Sequence, residues 1–149
     1  MSIEKKNAEG YSDPTPFLAI TNIVAEEQTT APPLRRRCYM PRVYICSPYA
    51  SDPEGNAAKA RKYCAYAVKA GYIPFAPHLF FPQFLNDGNS EERDIGIFMG
   101  TVFLDGCAEV WVFGDVISEG MTMEIARAKK RGITLRYFNE SCEEVFHHV

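Results

Sequence analysis

The chain has 149 residues, a length that predicts one domain burying roughly two thirds of its unfolded surface and leaves no room for a second. Its formal net charge of −3 argues against a groove for a nucleic-acid polymer, and its basic cluster, residues 35–37, lies in a predicted linker. No apolar run approaches the roughly 18 residues of a membrane span. We therefore expect a small-molecule ligand, with no nucleic-acid or membrane partner.

Five cysteines are scattered through the sequence, and no two of them form a Cys-x-x-Cys pair. An odd number of cysteines in apolar segments indicates reduced, buried thiols rather than a disulfide framework or a metal site. The first residues also lack an apolar signal core. We expect a soluble cytoplasmic protein that binds no metal, and no cofactor, because phosphate-loop and dinucleotide-binding patterns are absent from the sequence.

Residues 1–40 differ in composition from the rest and predict an N-terminal arm. Residues 13–16, with two prolines, can open a short helix, and residues 31–33 break it to give a Pro-rich linker. The arm is either a loosely packed tail or an element that docks on a neighbouring subunit. Its docking side chains would be Phe17, Leu18, Ile20 and Ile23. The α/β domain is predicted for residues 41–149.

Short apolar runs alternate with helical patterns along this domain. Residues 43–46 predict a buried strand, and a helix follows over about residues 53–70, with Asp52 as its N-cap. Residues 72–76 predict a second strand near the edge of a sheet, because Pro74 cannot donate a hydrogen bond to a central ladder.

The second half of the chain continues the alternation. Residues 78–85 are rich in aromatic side chains and either cap the core or line a pocket. A helix of roughly 16 residues begins at Ser90, with apolar residues at the three- and four-residue spacing of an amphipathic helix. Residues 108–113 predict a strand, 118–131 a helix and 133–138 the last strand.

This alternation predicts an α/β fold with three layers: a Rossmann-like or flavodoxin-like, mostly parallel sheet of four to five strands, with helices on both faces. Ligands of such sheets bind at the carboxyl ends of the strands. Three loops would meet there, at residues 47–51, 78–85 and 114–120.

The last of these loops opens a helix with Ser118 and Gly120. The first N–H groups of a helix lack internal partners and favour an anionic ligand. Glu124 lies on the same helix among Met, Ile and Ala, where packing would prefer an apolar residue. Glu124 is therefore either a functional carboxylate or a surface residue that pairs with Arg127.

Three motifs follow one another along the chain. They are strand 43–45 with Ser47-Pro48-Tyr49, Asp105 before strand 110–113, and Gly120-x-x-x-Glu124-x-Ala126-x-Ala128. Together they resemble the nucleoside 2′-deoxyribosyltransferase superfamily over about residues 42–138. The resemblance implies that Glu124 attacks the anomeric carbon, that Tyr44 positions Glu124, and that Asp105 acts on the base side.

Ser118 makes the resemblance more specific. Relatives that act on free nucleosides carry an Asp six residues before the nucleophile, whereas the related nucleotide N-glycosidases carry a Ser that holds a 5′-phosphate. Ser118 therefore implies a (deoxy)nucleoside 5′-monophosphate, since Asp would repel the phosphate. The sequence departs from the pattern at Thr122 and Ile125, where relatives often have small residues, and Glu119 adds a negative charge beside the pocket.

The expected substrate-binding residues are Ser47, Pro48, Tyr49, His78, Ser118, Gly120 and Met121. Several of the candidate catalytic and binding residues also have simpler interpretations. Ser118 is a good N-cap, Asp105 is a normal helix end, and His78 is a structural histidine.

The residue types fit cleavage or transfer at an N-glycosidic bond, in which one carboxylate captures the sugar and a second group helps the base to leave. The alternatives are a non-catalytic nucleotide-binding module that uses the same pocket, and a structural protein that acts through its arm. We also expect a homodimer or larger homo-oligomer, because Phe80, Phe81, Phe84 and Phe98 give a short chain much apolar surface. The resemblance implies that such a pocket is completed near a subunit boundary.

Overall fold

The computed structural model describes residues 39–146. The predicted arm, with its candidate docking residues Phe17, Leu18, Ile20 and Ile23, therefore lies almost wholly outside the described residues.

The described residues form one five-stranded sheet in the order β2-β1-β3-β4-β5. The strands are β1 Arg42–Cys46, β2 Ile73–Phe75, β3 Glu109–Phe113, β4 Thr134–Phe138 and β5 Glu144–Val145. The first four run parallel, and β5 pairs antiparallel with β4. This order is the flavodoxin-like one, so the predicted mostly parallel α/β sheet is confirmed. The exposed two-residue β5 was not predicted, because it has no apolar run of its own.

Four α-helices surround the sheet. They are α1 Pro53–Lys69, the short α2 Pro77–Phe80, α3 Ser90–Asp105 and α4 Glu119–Arg131, with a 3₁₀ turn at Phe81–Gln83. α1 begins where its cap predicts, since the Asp52 carboxylate accepts the Gly55 N–H. Among the described strands, β2 pairs only with β1, which places Pro74 at the edge of this sheet as predicted.

Both faces of the central strands β1 and β3 are buried. Val43, Ile45 and Trp111 belong to a cluster that includes α1 residues, whereas Tyr44 and Cys46 belong to a second cluster that includes residues of α3 and α4. Successive side chains of a strand point to opposite faces, so helices cover both sides of the sheet. This alternation directs Tyr44 toward α3 and α4.

An apolar surface remains exposed on α3 and the segment before it. Its exposed side chains are Phe80, Phe84, Ile95, Phe98, Val102 and Phe103. Phe81, expected to add to this surface, is instead only 7 % exposed, because it packs edge-on against Phe75 and Phe80. The buried residues of α3 are Gly100 and Leu104. Among the described residues, no helix combines the length and the apolar character needed to cross a membrane.

Candidate active site

A cavity of about 550 Å³ lies at the carboxyl edge of the sheet, between α3, α4 and the loops that follow β1 and β2. The predicted site residues that line it are Tyr44, Pro48, Tyr49, His78, Ser118, Gly120, Met121 and Glu124. Two others, Ser47 and Asp105, are not part of the lining. The structure thus brings the three predicted loops together around one space.

Glu124 and Tyr44 both line this cavity and contact each other. The Tyr44 hydroxyl, from β1, donates a hydrogen bond of 2.8 Å to Oε1 of Glu124, from α4. Among residues 39–146, the other carboxylate oxygen, Oε2, is buried and has no hydrogen bond to a nitrogen or oxygen, while the Cys46 thiol interacts with the carboxylate. Gly100 packs against the hydroxyl, because a Cβ there would lie 3.4 Å from it. One carboxylate oxygen is therefore fixed in place by Tyr44.

Burial raises the pKa values of both Glu124 and Tyr44. Desolvation raises the pKa of Glu124, and interactions with Cys46 and Tyr44 partly oppose this. Burial, followed by the charge of Glu124, raises the pKa of Tyr44 well above its ordinary value, so its hydroxyl stays protonated as a donor. The alternative pairing with Arg127 is not found, since the ion pairs of the described residues join Arg127 to Asp105.

Asp105 lies at the end of α3, as predicted, but its carboxylate binds two arginines of α4. Arg127 Nε donates to Oδ1 at 2.8 Å, and Arg131 Nη2 donates to Oδ2 at 2.8 Å. These hydrogen bonds, that of Arg127 first, hold the pKa of Asp105 well below its usual range. The structure therefore gives no support to Asp105 as the group that donates a proton to a base.

Ser47 faces the other side of the sheet. It continues the alternation of Val43 and Ile45, so its side chain points toward α1. It is 2 % exposed, its Oγ has no hydrogen-bond partner in the described part of the chain, and it lines a separate cavity of about 140 Å³. The expectation that its side chain lines the main site is corrected by this strand alternation, whereas Pro48, the next residue, lines both cavities.

His78 and Tyr49 form one wall of the main cavity. Their rings stack with centroids 4.7 Å apart and planes 5° from parallel. Burial lowers the pKa of His78, opposed by the backbone of Ser47 and the charge of Asp87. The imidazole is therefore neutral near neutral pH and joins the loops after β1 and β2.

The N-terminus of α4 forms another wall. The Ser118 hydroxyl accepts the Met121 N–H at 3.3 Å, so Ser118 is the N-cap of this helix. A binding role for its hydroxyl stays a prediction.

Comparison with known proteins supports the α/β fold described above. A family model described as a domain of unknown function, DUF7768, matches residues 41–138. The chain belongs to the DUF7768 family. None of the curated proteins matches it.

A solved structure of a 2-deoxyribosyltransferase from the psychrotolerant bacterium Bacillus psychrosaccharolyticus is similar, with a TM-score of 0.53 and 16 % identity. The similarity covers 71 % of this chain and 77 % of that chain, which is described as a biocatalyst for the synthesis of nucleosides. This DUF7768 chain therefore has a deoxyribosyltransferase-like fold.

Several cavity residues of this DUF7768 chain were not assigned to the site from the sequence. They are Asp87, Glu92, Arg93, Gly96, Thr101 and Arg127. Four of them lie on α3, and the pair Gly96 and Gly100, four residues apart, is the sequence signal that could have indicated a helix face packed closely against other elements.

Proposed function

We propose that this chain cleaves or transfers at the N-glycosidic bond of a (deoxy)nucleoside 5′-monophosphate, with Glu124 as the nucleophile. The observation that carries the proposal is the buried Glu124 carboxylate, which accepts a hydrogen bond of 2.8 Å from Tyr44 and belongs to a residue that lines a cavity of about 550 Å³. A binding module needs the cavity but has no use for an oriented carboxylate, whose burial costs stability.

The chemistry follows from this arrangement. The Glu124 carboxylate attacks the anomeric carbon, the C–N bond breaks, and its electron pair leaves with the base. Water or a second base then attacks the same carbon and the bond to Glu124 breaks, which regenerates the carboxylate; the proton lost by the attacking molecule balances the proton that the departed base anion takes up from water. Tyr44 stays protonated throughout and holds the carboxylate in position through its hydrogen bond to Oε1.

The 5′-phosphate rests on the N-terminus of α4 and on Arg93. Ser118 and the first N–H groups of α4 meet the cavity, and helix N-termini favour phosphate oxygens. Arg93, on the first turn of α3, lines the same cavity and forms no ion pair within the described part of the chain. The carboxylates of Asp87, Glu92 and Glu119 also line it and oppose an anion, so nucleosides and monophosphates are both tested.

The test is a screen of nucleosides and their 5′-monophosphates for release of the free base, with and without an acceptor base. We expect release from a monophosphate, and a glycosyl adduct on Glu124 in the mass spectrum of the trapped protein. Glu124→Gln, which is nearly isosteric, should bind the ligand as the wild type does and lose turnover by several orders of magnitude.

Two results would contradict the proposal. Full activity of Glu124→Gln would exclude the covalent mechanism. Tight binding of a monophosphate by the wild type with no base release would support the non-catalytic nucleotide-binding module instead.

We also propose a homodimer or larger homo-oligomer that uses the exposed apolar surface of α3 and the segment before it. Phe98, which is 68 % exposed, and Phe84, which is 57 % exposed, lie on this surface. Aromatic side chains of this size are seldom left in contact with water, and association buries them.

A further inference from the structure

We propose that Arg127, held in place by Asp105, binds the departing base and stabilises the charge that it acquires. This inference rests on the proposed function and deepens it by naming the group on the base side of the reaction. It assigns Asp105 as a positioning residue, which acts through Arg127 rather than by donating a proton.

The hydrogen bonds of Arg127 leave one edge of its guanidinium group free. Nε and Nη2 donate side by side to the two oxygens of Asp105. A guanidinium has five N–H groups, so this fork uses two of them and leaves three, two on Nη1 and one on Nη2. Nη1 has no hydrogen-bond partner within residues 39–146, while Arg127 lines the main cavity.

The place of Arg127 on α4 fits the base side. Glu124 and Arg127 are three residues apart, so they lie on neighbouring positions of one helix face, about 4.5 Å apart along the axis. Gly120 lies one turn from Glu124 in the opposite direction, at the N-terminus of α4. With the anomeric carbon at Glu124 and the 5′ end at the helix N-terminus, the base extends toward Arg127 and Leu104, which also lines the cavity.

The free N–H groups of the guanidinium determine which kind of base Arg127 can bind. Nη1 and Nη2 can donate to two adjacent acceptors, the arrangement that the N7 and O6 atoms of a 6-oxopurine present. When the C–N bond breaks, its electron pair passes to the ring nitrogen of the base and is delocalised onto these acceptors. Donation from Arg127 stabilises the anion that forms, and a proton from water reaches the base afterwards.

The carboxylate of Asp105 serves to hold this geometry. Its two oxygens fix the plane of the Arg127 guanidinium, and its ionisation is maintained by Arg127 and Arg131 at once. A group held as a carboxylate by two arginines has no proton to donate to a base.

The experiment compares Arg127→Met with Arg131→Met, a matched control. Arg131 also binds Asp105 but is more exposed and does not line the cavity. The substrates are a 6-oxopurine nucleoside or monophosphate and its 7-methylated analogue, whose cationic base leaves without help. We expect Arg127→Met to slow release of the 6-oxopurine on the order of 100-fold and to leave the methylated analogue little changed. Arg131→Met leaves both hydrogen bonds between Arg127 and Asp105 in place, so we expect its effect to be small and equal on the two substrates.

Two further variants separate positioning from folding. Arg127→Lys keeps the charge but loses the fork, and we expect it to show the same selective defect, so the test survives if Arg127→Met fails to fold. Asp105→Asn should show a smaller defect with the same dependence on the leaving base. Its pH–rate profile should have the same shape as that of the wild type at high pH, whereas loss of a basic limb on this substitution would identify Asp105 as a proton donor.

The outcomes distinguish this inference from the function on which it rests. Equal losses on both substrates, equal effects of Arg127→Met and Arg131→Met, or release confined to thymine and uracil would each overturn the role of Arg127 and leave Glu124 chemistry intact. No base release from any nucleoside or monophosphate would overturn both.

Discussion

Tyr44 and Glu124 are 80 positions apart in the sequence, and their hydrogen bond joins the first strand to the last helix. The bond stabilises the ionised form of a carboxylate whose pKa burial raises. Reactivity at this position therefore depends on a balance between desolvation, which makes the carboxylate a stronger nucleophile, and the hydroxyl that keeps it charged.

Replacing Tyr44 by Phe shifts this balance in a predictable direction. The Tyr44 hydrogen bond lowers the pKa of Glu124, so its loss raises that pKa further, and the acid limb of the pH–rate profile moves to higher pH. We expect kcat to fall at neutral pH and to recover in part as the pH rises. An acid limb at the wild-type position would mean that Tyr44 does not act on the ionisation of Glu124.

At the scale of the element, the N-terminus of α4 has two functions that one substitution can separate. Asp is as good an N-cap as Ser, so Ser118→Asp should leave the free energy of unfolding close to the wild-type value. The new carboxylate repels a phosphate, and we expect binding of a 5′-monophosphate to weaken much more than binding of the corresponding nucleoside. Calorimetric titration with both ligands measures this, and equal losses would show that Ser118 is only a cap.

The face of α3 that meets the cavity is built differently from the face that meets solvent. At Gly96 and Gly100 the helix approaches Leu85 and Tyr44 closely, while Phe98 and Val102 are exposed on its other side. A helix with apolar groups on its outer face either forms part of a subunit interface or exposes a surface that promotes aggregation. The same helix thus shapes the cavity and, in our proposal, the contact between subunits.

At the scale of the whole molecule, we expect self-association at micromolar concentration. Phe98→Asp places a charge in the middle of the exposed surface, so it should shift the mass measured by sedimentation equilibrium toward the monomer. Because Phe98 is 68 % exposed, the substitution should leave the fold itself intact. A wild-type chain that sediments as a monomer and releases base at full rate would contradict both the oligomer and a site completed near a subunit boundary.

The sequence by itself determined the elements and the nucleophile candidate. Apolar runs, the Asp52 cap and the edge position of Pro74 are local signals, and they predicted the parallel strands and the long helices. Glu124 stood out because a carboxylate on an apolar helical segment needs a reason.

Only the tertiary structure decided which side chains meet. The family resemblance implied that Asp105 acts on the base side, but packing of α3 on α4 brought it to Arg127, 22 residues later. Ser47 was grouped with its neighbours, and the alternation of β1 turned it to the opposite face. Local sequence patterns encode the periodicity of apolar residues and the caps of helices. The partner of a polar side chain depends instead on how whole elements pack together, and no short window of sequence contains that information.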